Sequence, residues 1–238
     1  MSKLTVYGSI DPLLNVALEK GETVFAERNA MVSMDSTLAL TGRARGGLLS
    51  AISRKLLNDE SFFQQKIEAV QGAGEVFLTP ALPGDVAIVP VGERQYMIAD
   101  GAYLANTDGV ELESKTQTLG RALLGDSGGL FVLRTQGNGE VAVSGFGSIR
   151  AVDLDGTKSV YVDNGHLVAW DTTLDYELAM NTGKQSFFGK LINSQTSGEG
   201  IVLKFSGHGR LYICSRNRGG FIDWMLSNMP QDKMVKNE

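Results

Sequence analysis

Cysteine, histidine and proline are scarce in this chain. Of 238 residues one is cysteine, two are histidine and five are proline. Cys214 alone forms no internal disulfide and no cysteine-rich metal site, a usage that suits a reducing compartment and points to the cytoplasm. No apolar run is long enough to span a bilayer. The opening MSKLTVYGSIDP has neither the apolar core of a secretory signal nor the Arg-rich, acid-free pattern of a transit peptide. A surplus of positive charge is also missing. With a formal net charge of −5, the chain has no global attraction for phosphate, and nucleic-acid binding would need a local basic patch.

What is abundant is glycine. Twenty-nine glycines separate short runs of Val, Ile, Leu, Tyr and Phe, as expected of many strands joined by tight turns. Several of these runs recur. QGAGEVFL (71–78), QGNGEVAV (136–143) and SGHGRLYI (206–213) share Gly-x-Gly followed by alternating strand residues, and read as hairpins. A second set begins at Gly21, Gly92 and Gly156 and reaches a turn residue at Asn29, Gly101 and Gly165. After that turn, Met31-Val32-Ser33, Tyr103-Leu104-Ala105 and Leu167-Val168-Ala169 align as a buried strand. A third set, GGLLSAISRKLL (46–57), TLGRALLG (118–125) and QSFFGKLINS (185–194), is basic and apolar and reads as the closing segment of each unit.

The expected fold is therefore all-β: three antiparallel sandwich-like pseudo-repeats around an approximate threefold axis, with short helical connections and a C-terminal helix. The pseudo-repeats span 60–124 and 125–197, with 198–229 completing 4–59. This places strands near 201–214 against the segment 16–40, a closure that would protect edge strands.

The repeats also explain GDSGG at 125–129, which has the letters that surround a chymotrypsin-like nucleophile. A serine nucleophile needs a histidine base, and in the chymotrypsin-like order the histidine precedes it. His166 and His208 both follow Ser127, and the sister junctions place Ser61 and Gly200 at the same point. Ser127 reads as a turn residue, with a hydrolase using it as the weaker alternative. Gly137-Asn138-Gly139-Glu140-Val141-Ala142 matches a dinucleotide fingerprint by letters, but a strand follows it where that motif requires a helix. The repeat equivalents of the histidines are Ala30 and Ala102 for His166, and Ala73 and Asn138 for His208. Neither belongs to a shared metal site; His166 reads as a strand residue and His208 as a turn residue. No cofactor is expected.

Five segments carry a resemblance to a known family: GGLLSAISRKLLNDESFF (46–63), GAGEVFLTPALPGDV (72–86), DGAYLANTDGVEL (100–112), VDNGHLVAWDTTLDYEL (162–178) and GEGIVLKFSGHGRLYICSRN (198–217). In content and order they resemble the altered-inheritance-of-mitochondria, or mitochondrial biogenesis, family in its bacterial form. The resemblance implies a fold like that of the tryptophan RNA-binding attenuation protein, repeated within one chain. It also implies a membrane setting, since eukaryotic members are implicated in inner-membrane organisation; it supplies no catalytic residues.

Together these readings point to a non-enzymatic binding or scaffold protein. The basic-apolar segments would contribute Arg43, Arg45, Arg54, Lys55, Arg121 and Lys190 to a surface facing a protein partner or an anionic membrane. Association of identical chains is a further expectation. RNA binding by fold analogy is the alternative, disfavoured because these cations lie among aliphatic residues in an acidic chain. FIDWMLSNM (221–229) has helical spacing and is expected to dock on the body, and QDKMVKNE is read as a frayed tail.

Overall fold

A computed structural model describes residues 3–44, 63–117, 130–179 and 202–229. The junction segments 46–57, 118–125 and 185–194, GDSGG with Ser127, and residues 230–238 lie outside the described residues. Four sheets account for almost all of the rest. The N-terminal sheet has the order β1 (Lys3–Tyr7), β2 (Leu13–Leu18), β7 (Gly74–Leu78), β4 (Met31–Met34). The second sheet runs β5 (Leu38–Ala44), β6 (Phe63–Ala69), β3 (Thr23–Glu27), β10 (Tyr103–Thr107), β13 (Gly139–Phe146), β8 (Gly84–Val91). The third runs β11 (Val110–Gln117), β12 (Leu130–Gly137), β9 (Tyr96–Ala99), β16 (Leu167–Asp171), β19 (His208–Cys214), β14 (Ile149–Asp155). A C-terminal sheet holds β15 (Val160–Asp163), β18 (Val202–Ser206) and β17 (Asp175–Leu178), and the helix α1 (Arg218–Asn228) follows β19.

The second and third sheets are the same sheet built twice. Their strands correspond one to one, and so do their registers. Ala105 faces Ala26 across β10 and β3, just as Ala169 faces Ile98 across β16 and β9. The ladder from β10 to β13 slips between Tyr103 and Ala105, and that from β16 to β19 slips between Leu167 and Ala169. The ladder from β4 to β7 slips in the same way between Met31 and Ser33. These bulges turn one residue of each strand, Val32, Leu104 or Val168, out of the alternation.

This correspondence explains the Gly-x-Gly stretches, and corrects one reading of them. They are not hairpins between paired strands: each hands the chain from one sheet to the next, from β6 to β7, β12 to β13 and β18 to β19. Gly137, Gly139 and Gly207 have φ of +94°, +150° and +101°, values that side chains resist. The second glycine of each stretch also has a packing reason. A Cβ on Gly139 would strike the Thr107 hydroxyl, and one on Gly74 would strike that of Thr37.

Two apolar clusters fill the interior. One surrounds Trp170, whose indole meets Tyr176 and Phe205 edge-on at 5.6 and 5.8 Å between ring centroids. The other gathers Leu14, Val16, Val24, Ile67, Val76, Leu78 and Leu104, all fully buried. Strands 103–105 and 167–169 are buried as expected, but 31–33 is not: Met31 is 39% and Val32 52% exposed. The reason is a missing neighbour. In the second and third sheets the counterpart of β4 pairs with β3 or β9, whereas β4 here is an edge. Likewise β18 and β19 form their ladders with β14 to β17, so the described strands of 202–214 are not paired with 16–40.

Candidate functional site

Asn217 starts α1. Its side chain accepts a hydrogen bond from the Gly220 N–H at 3.1 Å, covering one of the free donors of the first turn. Just before it, the Arg216 N–H donates to the Phe146 carbonyl at 3.1 Å and the Cys214 thiol donates to the Arg216 carbonyl at 3.3 Å. Burial pushes the Cys214 thiol above its ordinary range, so it stays protonated and unreactive. His166, in a short turn at 164–166 rather than in a strand, places Nδ1 2.8 Å from the Cys214 carbonyl oxygen. His208 begins β19.

These contacts hold α1 by its first turns only. Phe221 packs on Phe146 with ring centroids 5.2 Å apart, and the Arg216 guanidinium lies 5.8 Å from the centre of the same Phe146 ring. Arg218 reaches Asp100 at 3.6 Å. Between helix and body opens a cavity of about 510 Å³ lined by Phe146, Arg216, Asn217, Gly220, Phe221 and Trp224. Beyond it the helix is bare. No residue of α1 is buried, and Ile222, Trp224, Leu226 and Met229 are all exposed, Trp224 by 63%. At 100° per residue, Trp224, Phe221, Met225, Met229, Ile222 and Leu226 cover more than half the circumference. The expected helix is present, but the expected docking is confined to Phe221.

A second cluster lies inside the second sheet. Gln64 Nε2 donates to the Tyr103 hydroxyl and to Asn106 Oδ1, each at 2.8 Å. The Tyr103 hydroxyl donates to Asn106 Oδ1 at 2.7 Å and lies 3.1 Å from the Phe25 carbonyl oxygen. Asn106 Nδ2 donates to the carbonyls of Thr107 and Val110 at 2.9 and 2.8 Å. In the third sheet the register puts Val132, Leu167 and Trp170 at these positions, so a polar network replaces an apolar core. Opposite Gln64 stands Glu27, whose carboxyl burial pushes up to about 7, with the charge of Asp100 adding to the shift.

None of this is a nucleophile with its base. Among the described residues no group of three His, Cys, Asp or Glu is placed to hold a metal ion. Of the sequence-predicted surface residues, Arg43 lies on β5, and Arg45, Arg54, Lys55, Arg121 and Lys190 lie outside the described residues. Gly137-Asn138-Gly139 runs into β13, as the strand reading of that stretch required. Sequence reasoning missed the polar network and the bare face of α1. The first is visible once Gln64 is aligned with Val132 and Val202; the second was visible as apolar residues spread too widely for one buried stripe.

Comparison with known proteins settles the kinship. The model of the family described as mitochondrial biogenesis AIM24 matches residues 4–216. The chain belongs to that family. An uncharacterised protein of Streptococcus pyogenes serotype M6 is 34% identical over 225 residues, spanning 92% of this chain and 87% of that protein. A crystal structure of a Streptococcus pyogenes protein superposes with a TM-score of 0.77 at 31% identity, covering 96% of this chain and all of the other. The mitochondrial biogenesis family match ends at residue 216, so α1 lies just beyond it.

Proposed function

We propose that this member of the mitochondrial biogenesis family is a non-enzymatic binding module that attaches to an anionic bilayer surface through α1. The observation that carries the reading is the helix itself: an element anchored at one end by Phe221 and otherwise exposing Ile222, Trp224, Met225 and Leu226, with Met229 at its C-cap. An apolar face of this kind in water calls for cover, and Trp at its centre suits the headgroup boundary. Arg216, at the start of the helix and over the Phe146 ring, supplies a cation where lipid phosphates would lie. Arg43, Arg45, Arg54, Lys55, Arg121 and Lys190 are the further candidates for that surface. No helix among the described residues is long and apolar enough to cross a membrane.

RNA binding has less support. Lys66, Lys115, Lys204 and Arg210 each pair with a carboxylate, Arg210 with Asp153 through two bonds of 2.7 and 2.9 Å. Cations neutralised in this way do not form a phosphate-tracking groove.

The test is co-sedimentation with vesicles of anionic or neutral lipid, read together with tryptophan fluorescence. Trp170 is fully buried, so any lipid-dependent blue shift reports on Trp224. Binding to anionic vesicles alone, with a blue shift that Trp224→Ala removes, is the expected result. Absence of binding would overturn the membrane reading and leave α1 to a protein partner.

A further inference from the structure

The internal repeat says what should cover the bare edge of β4. In the second sheet that place is taken by β3, and in the third by β9. The counterpart of β3 and β9 in the remaining unit is β15, which among the described residues likewise has a strand on one side only. The C-terminal sheet, ordered β17-β18-β15, is the first half of a six-stranded sheet; the N-terminal sheet, read β4-β7-β2, is the second half. β1 is an addition at its far edge.

Both edges look built for pairing. MVSM carries no charge and VYVD only one, and neither contains lysine or proline, two of the residues that blunt an edge. Both expose apolar side chains that their counterparts bury. Met31 and Val32 are 39% and 52% exposed where Tyr103, Leu104, Leu167 and Val168 are buried; Tyr161 is 48% exposed where Phe25 and Met97 are buried. Among the described residues the two edges do not meet: β4 pairs with β7 and β15 with β18, and no ladder joins β4 to β15.

From this we infer that a second copy of the chain supplies the missing half, with β15 of one copy pairing antiparallel to β4 of the next. The register follows from the two closed seams. Ala105 with Ala26 and Ala169 with Ile98 correspond to Ser33 with Val162. Asn106 with Phe25 and Trp170 with Met97 correspond to Met34 with Tyr161. The contact uses two different edges, so it is head-to-tail and continues into a ring or a filament. It involves neither α1 nor lipid.

The test uses full-length chains carrying single substitutions, Met34→Cys in one preparation and Tyr161→Cys in another, under mild oxidation without lipid. A disulfide-linked dimer formed in the mixture of the two, and in neither preparation alone, is the expected result. Light scattering should give a mass above the 25.6 kDa of one chain, and the exposed-site variant Tyr161→Lys should lower it. The doubly substituted chain is the control. If it forms the bond within one chain, leaving only Cys214 free while the mixture stays monomeric, the sheet closes internally and the inference is overturned. No crosslink in any combination overturns it as well.

Discussion

Glu27 stands at the end of β3 across from Gln64, where Ala99 and Asp163 hold the corresponding places. Its folded carboxyl binds a proton more tightly than an unfolded one, titrating at about 7 rather than at 4.5. Stability from this group is therefore fully present below pH 4.5 and is lost as pH rises through 7. Glu27→Gln should stabilise the protein by ~1 kcal/mol at pH 8, a figure reduced for partial solvent screening, and change little at pH 4. Urea unfolding at the two pH values checks this. The neighbouring network predicts the opposite kind of result. Asn106→Leu puts an apolar residue there, as at Trp170, but takes one acceptor from the Gln64 amide, which keeps the Tyr103 hydroxyl, and the Asn106 donor from the carbonyls of Thr107 and Val110. The loss should be about 2–4 kcal/mol, read as a lower urea midpoint, because buried groups left unpaired cost more than a hydrogen bond gains.

Among the elements, α1 is the least tied to the rest. Asn217→Ala removes its cap and should cost the helix about 1 kcal/mol. Amide exchange within α1 should accelerate while the midpoint of thermal unfolding stays put, since no residue of the helix is buried. Strand identities were legible because glycine turns and β-branched runs are local signals: Val141 and Val143 mark β13, and Asn29, Gly101 and Gly165 mark the turns. Sheet membership was not. Nothing local in QGNGEVAV says that the strand before Gly137 and the strand after Gly139 belong to different sheets. Nor do Met31 and Val32 differ in kind from Tyr103 and Leu104; they are exposed because of what is not beside them, and burial by a distant strand is not written in a strand's own letters. The site was less legible still. The basic segments attracted attention by charge, whereas α1 and the Gln64 network stand out only through exposure and register.

At the scale of the whole molecule, approximate threefold repetition lets one substitution be made at equivalent places. Leu104→Ala should destabilise by about 2–4 kcal/mol, because it empties a fully buried site. Val32→Ala, at the counterpart position on the open edge, should stay within ~0.5 kcal/mol at concentrations where the chain is monomeric. Equal losses at the two sites would show that the edge is already covered. The handing of the chain from sheet to sheet at each Gly-x-Gly also bears on how the protein is made. The second sheet spans Thr23 to Phe146. A ribosome must therefore deliver well over half of the polypeptide before that sheet can finish, and the third waits for Cys214. Until Phe146 arrives, β5, β6, β3 and β10 have emerged without β13, and long-range pairing of this sort is slow and prone to aggregate. Folding of each sheet should thus wait on synthesis, leaving half-sheets with open edges on the nascent chain until their last strands arrive.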